Sequence, residues 1–270
     1  MSGIIGGNSS RSSGSIAAKG SGITTSASDP TISTNPASVG TMFVNTTSGE
    51  VYIATTITAG ENVWTNIGDG AGDVAFYQGS SYGYSSGGTA TNVIERFSLT
   101  SQADAVDVGD LTTTKQFPSG GKSATHGFCC GDDTVGPGGS DVIERYAFAA
   151  STSGADHGDL TATSYGQAEA SSSTHVYCAG GYGRTSTIDK VVSATNANST
   201  DVGDLIQAVY LVGGHSSNTY GYTSGGLPAT NVIQKYSFSS DGEAIDVGNL
   251  PTTRSYTSGT SSTSHGYSTG

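Results

Sequence analysis

Short stretches in which hydrophobic and polar residues alternate recur along the chain, and they predict β-strands. In one such stretch Val93, Glu95, Phe97 and Leu99 fall on one face of an extended chain, and the residues between them fall on the other. Valine, isoleucine and aromatic residues are frequent there, as strands prefer. Between residues 71 and 270 no apolar stripe has helical spacing. The pattern predicts an all-β protein.

One five-residue motif, Asp-Val-Gly-Asp-Leu or a close variant, occurs four times in the chain, and we call it the repeated clause. Its central glycine stands at Gly109, Gly158, Gly203 and Gly248, at intervals of 49, 45 and 45 residues. Self-similarity with a period of about 40–50 residues is typical of repeat architectures such as propeller blades. A residue that recurs in every repeat is more easily explained by the scaffold than by chemistry.

The rest of each copy keeps the same register. The strand-like segment at 92–99 returns at 141–148 and 231–238, and in a diverged form at 187–191. A Gly-Tyr-x-Ser-Gly-Gly unit, whose glycine pair predicts a tight turn, precedes it. A fifth copy begins at Gly266–Gly270.

These residues resemble the kelch repeat. A strand ending in Gly-Gly, a variable loop, an Asn-Val-Ile-Glu-Arg-Tyr strand and a closing segment such as Leu111–Lys115 or Leu250–Arg254 are similar to one kelch blade. The kelch tryptophan is absent, and Trp64 lies outside the repeats. The resemblance covers roughly residues 75–270. It implies a kelch-like β-propeller, a fold that hosts mostly binding or structural modules.

The repeats predict a propeller of about five blades. Four full repeats and a half-repeat leave the closure of the ring open. Ala75–Tyr82 would complete the last blade within one chain, which is the closure we favour. The alternatives are strands from Thr41–Ile67 or from neighbouring subunits.

The first seventy residues are organised differently. Residues 1–40 are rich in Ser, Gly and Thr and predict a flexible or docking arm, because they hold too little apolar surface to fold alone. Residues 41–70 predict a small three-strand meander, with a hairpin turn at Thr46–Gly49. Residues 71–270 form the repeat domain.

The meander carries a second resemblance. Gly-Thr-Met-Phe-Val-Asn-Thr-Thr-Ser-Gly-Glu-Val-Tyr-Ile, followed by Asn-Val-Trp-Thr-Asn-Ile-Gly, looks like a module of bacteriophage tail-fibre and other virion proteins. That resemblance implies a non-enzymatic virion structural protein, a projecting fibre or knob. It also implies that residues 1–40 contact other virion proteins and that the distal domain contacts a host surface glycan or protein.

Composition and charge narrow the choice of partners. Only 12% of residues are charged, 41 are glycine, and the net charge is −12. A surface this negative repels phosphate backbones, so nucleic acid is not an expected partner. No apolar run is long enough for a membrane helix, and we expect no membrane insertion. Homo-oligomers are compatible with a fibre, although no coiled-coil heptads demand them.

Three side-chain sets are candidates for metal binding, and a structural interpretation is favoured for each. His126, His175 and His265 are repeat-equivalent, with Tyr220 in the remaining copy, but no carboxylate recurs beside them. The aspartates of the repeated clause offer oxygen ligands, yet aspartate also closes turns on its own backbone. The third set is the cysteines, Cys129, Cys130 and Cys178. Cys129 and Cys178 share one repeat position, which holds Ser or Thr in the other copies, so small packing residues are favoured. No metal and no cofactor is predicted.

Two enzyme motifs lack their structural context. Gly266–Gly270 spells Gly-x-Ser-x-Gly, but no helix is predicted after it. Gly121-Lys122-Ser123 suggests a phosphate loop, but Gln116 replaces its first glycine. No catalytic residue is predicted. A glycan-cleaving depolymerase stays open, because its carboxylate pair leaves no local signature.

Three functions remain, and their tests differ. A host-contacting fibre would use the variable loops Thr89–Thr91, Asp132–Ser140 and Tyr182–Ser186, which we expect to be exposed. An architectural or cement protein of the capsid or tail would stabilise the particle. A depolymerase would release sugar from host polysaccharide.

Overall fold

The computed structural model describes residues 23–58, 62–67, 81–89, 91–134, 138–149, 153–183, 185–262 and 264–270. Within these ranges the regular secondary structure consists of β-strands, without a helix. This confirms the all-β prediction. The chain divides into two compact units, Met1–Ala75 and Phe76–Gly270.

The first unit contains one four-stranded sheet, in the order β1-β2-β3-β4. Its strands are β1 (Ile23–Ser26), β2 (Met42–Asn45), β3 (Val51–Thr56) and β4 (Val63–Asn66). The predicted meander corresponds to β2, β3 and β4, which pair antiparallel. Its core is the ring of Phe43, which meets Trp64 edge-on at a centroid distance of 5.5 Å.

Strand β1 lies within the predicted arm and was not predicted. It pairs parallel with β2, from Ile23 opposite Met42 to Ser26 opposite Asn45. Hydrogen bonds, rather than the burial of apolar side chains, hold the segment that follows β1 in place. Trp64 Nε1 donates to the Thr34 carbonyl at 3.0 Å, and the Asn62 amide donates to the Ile32 carbonyl at 3.0 Å. The arm prediction for residues 1–22 lies outside the described residues.

The second unit consists of small antiparallel sheets, one for each sequence repeat. The first has β5 (Tyr82–Ser86), β6 (Thr91–Ser98) and β7 (Val106–Lys115), and the second has β8 (Ser119–Lys122), β9 (His126–Asp132), β10 (Ser140–Ala147) and β11 (Ala155–Ser164). The third has β12 (Ala168–Ser171), β13 (His175–Ala179), β14 (Thr187–Val192) and β15 (Thr200–Asp204). The fourth has β16 (Gly213–Ser216), β17 (Tyr220–Ser224), β18 (Thr230–Ser237) and β19 (Ile245–Arg254), and the fifth has β20 (Ser258–Ser261) and β21 (Gly266–Thr269). The segment favoured for ring closure, 75–82, lies almost wholly outside the described residues.

The first strands of consecutive sheets, β8, β12, β16 and β20, lie side by side, and we call them the inner strands. Serine hydroxyls join their carboxyl ends. The backbone N–H groups of Lys122, Ser171 and Ser216 each donate to the hydroxyl of the equivalent serine in the next repeat, at 3.1, 2.9 and 3.0 Å. Backbone bonds join the segments before their amino ends, from Gly166 N to Phe117 O and from Leu211 N to Gly166 O. Each inner strand is therefore fixed to its neighbour at both ends.

Apolar clusters fill the space between consecutive sheets. The cluster between the second and third sheets joins Phe128, Ile143 and Leu160 with Val176 and Val191. The leucine of the repeated clause is buried at each described interface between full sheets, with exposures of 2%, 5% and 3% for Leu111, Leu160 and Leu205. Both faces of a middle sheet are therefore buried, and each depends on its neighbours for stability.

The repeated clause forms a β-bulge that receives a loop of the next repeat. Asp201 Oδ1 accepts from Gly203 N at 3.1 Å, and Asp107 and Asp246 make the same bond to the glycine two residues on. This confirms the turn-closing interpretation of these aspartates. Gly203 has φ +148°, and a Cβ there would lie 2.3 Å from the Gly242 carbonyl oxygen. Glycine is thus required by both the backbone angle and the docked loop.

Two glycine substitutions separate these requirements. Gly248 has a similar φ of +144°, but a Cβ there would meet nothing within 4 Å. We expect Gly248→Ala to lower the free energy of unfolding by about 1–3 kcal/mol through backbone strain alone. Gly203→Ala must also displace a carbonyl group, and we expect a loss above about 4 kcal/mol. Urea unfolding of both variants measures the difference, and equal losses would show that the loop contact contributes nothing.

Candidate functional site

The repeat-equivalent histidines stand at tight turns between first and second strands. In His126, His175 and His265 the Nδ1 atom lies 2.8 Å from the hydroxyl of the preceding Thr or Ser. Burial lowers the pKa of His126 and His175, and the arginine or lysine nearby acts in the same direction. Among the described residues no group of three or more His, Cys, Asp or Glu side chains could hold a metal ion. The turns account for these histidines.

The three cysteines are buried and free. Their exposures are 1%, 0% and 2% for Cys129, Cys130 and Cys178. Burial raises the pKa of the Cys129 thiol to about 12, so it stays protonated at neutral pH. This confirms the prediction that the cysteines are small packing residues.

The adjacent Glu144 and Arg145 of strand β10 contact two different neighbouring repeats. Glu144 Oε2 accepts from the Thr112 backbone N–H of the preceding repeat at 2.6 Å. Arg145 donates to the Ser193 carbonyl of the following repeat at 3.3 Å. Both faces of this strand are covered, and therefore the two side chains reach different repeats.

The Gly-x-Ser-x-Gly motif lies on strand β21, and the structure brings its serine to a histidine. Ser268 Oγ lies 3.1 Å from His215 Nε2, and Ser224 Oγ lies 2.8 Å from the same nitrogen. His215 Nδ1 is 3.1 Å from the Thr260 carbonyl, which only accepts, so Nδ1 carries the proton. Nε2 then accepts from a serine. This buried network joins the fourth and fifth sheets. The motif lies within a strand and not at the strand-to-helix turn that a nucleophilic serine of this motif requires.

A cavity of about 1020 Å³ opens at the carboxyl ends of the inner strands. Lys122 lines this cavity together with Glu169 and His215. Lys122 belongs to the Gly-Lys-Ser sequence that resembles a phosphate loop without its first glycine. Tyr84 and Phe148 form an aromatic wall, with ring centroids 4.7 Å apart. Both polar and aromatic side chains therefore line this cavity, a lining that suits a small polar molecule.

Glu169 is the carboxylate in the described lining of this cavity. Burial raises its pKa to about 7, although a hydrogen bond from Ser171 and the charge of Lys122 both act to lower it. The other described inner strands have Gly120, Gly214 and Gly259 at this position. Hydrolysis of a glycosidic bond generally uses two carboxyl groups. The described residues of this cavity supply one.

The opposite ends of the inner strands carry exposed aromatic side chains. Phe117, Leu211 and Tyr256 hold one repeat-equivalent position, and each has left-handed backbone angles, with φ of +52°, +50° and +55°. Gly166 fills the same position in the third repeat. Phe117 is 44% exposed and Tyr256 64% exposed. A bulky residue with positive φ is strained, and such strain often marks a functional position.

Further aromatic rings pack beside this surface, and of these Tyr165 is itself buried. The Tyr165 and Tyr182 rings stack at 4.4 Å, and the Tyr210 ring meets Tyr182 edge-on at 5.8 Å. Phe117 and Tyr256 also line a second cavity of about 380 Å³. We define the aromatic rim as the set Phe117, Tyr165, Tyr182, Tyr210 and Tyr256.

The predicted recognition loops differ in exposure. Tyr182, at the start of Tyr182–Ser186, is 39% exposed and belongs to the aromatic rim. Thr89 is exposed as well. The ends of Asp132–Ser140 are not exposed, because Asp132 and Ser140 are 1% and 7% accessible. Asp132 faces inward to pair with Lys115, and this part of the loop prediction is wrong.

Sequence reasoning missed Glu169, His215 and the aromatic rim. A usable signal existed for Glu169 and Tyr256, since each replaces a glycine found at the same position in another repeat. His215 also replaces a glycine, Gly121, but its position holds Ala170 and Thr260 in the remaining repeats, and such a variable position does not single out a histidine. Within the described ranges, no helix has the length and apolarity to cross a bilayer.

The raised pKa of Glu169 predicts a stability that depends on pH. The unfolded chain releases this proton near pH 4.5 and the folded chain near pH 7, so folding is disfavoured progressively as the pH rises between them. Glu169→Gln removes this loss. We expect the variant to melt at a higher temperature than the wild type at pH 8, with the difference vanishing at pH 4. Glu243→Gln, at an exposed carboxylate, is the matched control. A Glu169→Gln difference independent of pH would contradict the burial of this carboxyl.

Comparisons with known proteins give a likeness of fold. No protein-family model matches the chain. No curated protein matches it either. Among solved structures, the chain is similar to YjhT, with a TM-score of 0.57 and 8% sequence identity, over 68% of this chain and 67% of that one. At this identity the likeness concerns the arrangement of the backbone alone.

Proposed function

We propose that this protein is a non-enzymatic structural protein of a bacteriophage virion, a projecting fibre or knob that contacts the host surface. Its repeats form a kelch-like propeller of about five blades. Residues 1–40 anchor it to other virion proteins, and the aromatic rim is its contact surface for a host glycan or protein.

The propeller proposal is supported by the side-by-side inner strands. Five consecutive repeats each contribute a separate sheet, and the four described inner strands are joined to one another at their carboxyl ends. Radial repetition of small sheets about a shared axis is the propeller arrangement. The likeness to YjhT covers about the same share of the chain as these repeats.

The non-enzymatic proposal is supported by the roles of the recurring polar residues. The repeated aspartates close bulges, the repeated histidines bond to turn hydroxyls, and the repeated serines join inner strands. Each of these residues already has a structural partner. The aromatic rim presents exposed rings at Phe117 and Tyr256, and aromatic side chains are enriched at recognition surfaces.

The aromatic rim carries the host-contact proposal. Phe117 and Tyr256 hold exposed rings at a backbone position that costs free energy, although glycine fills the same position at Gly166 without that cost. A strained residue whose side chain gains little burial is explained by what it contacts outside the protein. Tyr182 brings a predicted recognition loop to the same surface, since its backbone N–H donates to the Tyr165 carbonyl.

A glycine substitution separates function from stability at this surface. Tyr256→Gly removes an exposed ring and relieves a left-handed backbone, so we expect stability to be unchanged or about 1 kcal/mol higher. Adsorption of particles to host cells is expected to fall about tenfold, as for loss of one important contact residue. Tyr267→Ala, at a 54% exposed tyrosine outside the rim, is the control and should adsorb normally.

Removal of residues 1–22, which spares β1 and the segment bonded to Asn62 and Trp64, tests the anchoring proposal. We expect the shortened protein to be missing from purified particles, as detected by mass spectrometry of the virions. Normal adsorption by Tyr256→Gly particles, together with particle breakdown when the protein is absent, would favour a cement protein instead. Absence of the full-length chain from particles would overturn the virion proposal.

A further inference from the structure

A lysine and two carboxylates meet inside the protein where the first repeat contacts the second. Lys115 Nζ, at the end of β7, lies 3.1 Å from Asp132 Oδ2 and 3.3 Å from Glu144 Oε1. The side-chain exposures are 1% for Lys115, 1% for Asp132 and 0% for Glu144. A three-charge group so fully removed from water is costly, and its net charge of −1 adds to that cost.

The second oxygens of the two carboxyl groups are held in place by other partners. Asp132 Oδ1 accepts from the Thr134 backbone N–H at 2.7 Å and from its hydroxyl at 2.6 Å. Glu144 Oε2 accepts from Thr112 N at 2.6 Å. Among the described residues, Glu144 Oε1 has no hydrogen-bond partner, although it faces Lys115 Nζ. Two donors thus polarise the carboxyl group of Asp132. Glu144 presents to the Lys115 amine an oxygen that accepts no hydrogen bond from the described residues.

One member of the trio, Asp132, departs from the repeat pattern. It stands where the other repeats have the second glycine of the Gly-Gly pair, at Gly88, Gly181 and Gly226. The position of Lys115 varies, with Ser164, Val209 and Arg254 in the other repeats. Neither partner is needed for the sheet contacts that the other repeats make without them.

We infer that Lys115 and Asp132 form a covalent modification site, at which the amine and the carboxyl condense into an amide cross-link with Glu144 carrying the proton. The bond would join the end of β7 to the end of β9, and so tie the first repeat to the second.

The reaction balances without a further reagent. Glu144 takes a proton from the Lys115 ammonium, and the freed lone pair of Nζ attacks Cγ of Asp132. The two donors of Thr134 stabilise the developing negative charge on Oδ1. Glu144 delivers that proton to Oδ2, then carries a second proton from the attacking nitrogen to the same oxygen, the C–O bond breaks, and one water leaves. Ammonium plus carboxylate gives amide plus water, with no oxidation or reduction.

Position and burial both favour this step. Nζ is held 3.1 Å from an oxygen of the carboxyl group that it attacks, which replaces an encounter in solution with a reaction inside one fixed geometry. The product removes a buried cation and a buried anion together. Burial lowers the pKa of Lys115, but the two carboxylates outweigh it and the net direction is upward. The charged pair is therefore the resting state, and we expect the condensation to be slow.

Mass spectrometry of the full chain tests the inference. The denatured, reduced protein is expected to be one water lighter than its sequence mass, either as purified or after incubation at 37 °C. Trypsin requires a free lysine, so cleavage after Lys115 is expected to fail. After alkylation, the digest should then contain residues 97–122 joined to residues 123–145. Glu144→Gln keeps an acceptor for Thr112 N but cannot carry the proton, and is expected to lack both signatures.

The chain provides its own control for proximity alone. Lys190 Nζ and Asp241 Oδ1 lie 2.9 Å apart, but the aspartate is 59% exposed. Trypsin should cut normally after Lys190. A wild-type protein of unchanged sequence mass after prolonged incubation, with normal cleavage after Lys115, overturns the inference and leaves a buried ion pair. A cross-link that persists in Glu144→Gln overturns the role of Glu144.

Discussion

Contact between consecutive sheets is the constraint on which the rest of the repeat unit depends. A middle sheet has apolar residues on both faces, and neither face can be covered from within one repeat. Polar side chains then fix the register of that contact. Glu144, Asp189 and Gln234 share one repeat position, and each accepts from a backbone N–H of the preceding repeat. Glu95, in the first repeat, is exposed.

The low charge and the many hydroxyl residues of the chain follow from the same constraint. Inner strands that lie side by side present backbone N–H groups that need short acceptors. Ser171, Ser216 and Ser261 supply these acceptors at the repeat period. A longer charged side chain in that narrow space would have to be desolvated, whereas a serine hydroxyl reaches the N–H at little entropic cost.

Departures from the repeat mark the positions that the scaffold does not need. Glu169 replaces a glycine on an inner strand, Asp132 replaces a glycine of the Gly-Gly pair, and Tyr256 holds a position that suits the glycine at Gly166. Each change costs free energy through buried charge or backbone strain. Each also places a charged or aromatic group at a repeat interface or at an end of the inner strands.

The sequence by itself determined the all-β class, the repeat period, the turn-closing aspartates and the packing role of the cysteines. These are local properties, since alternation, glycine spacing and Asp-x-Gly turns act within a few residues. The tertiary structure decided which residues meet. Lys115 reaches Asp132 and Glu144 across two sheets, Ser268 reaches His215 across two repeats, and β1 pairs with β2 through polar bonds. These contacts depend on how the sheets stack. Stacking brings together residues that are far apart in the sequence, and no local sequence pattern indicates that they touch.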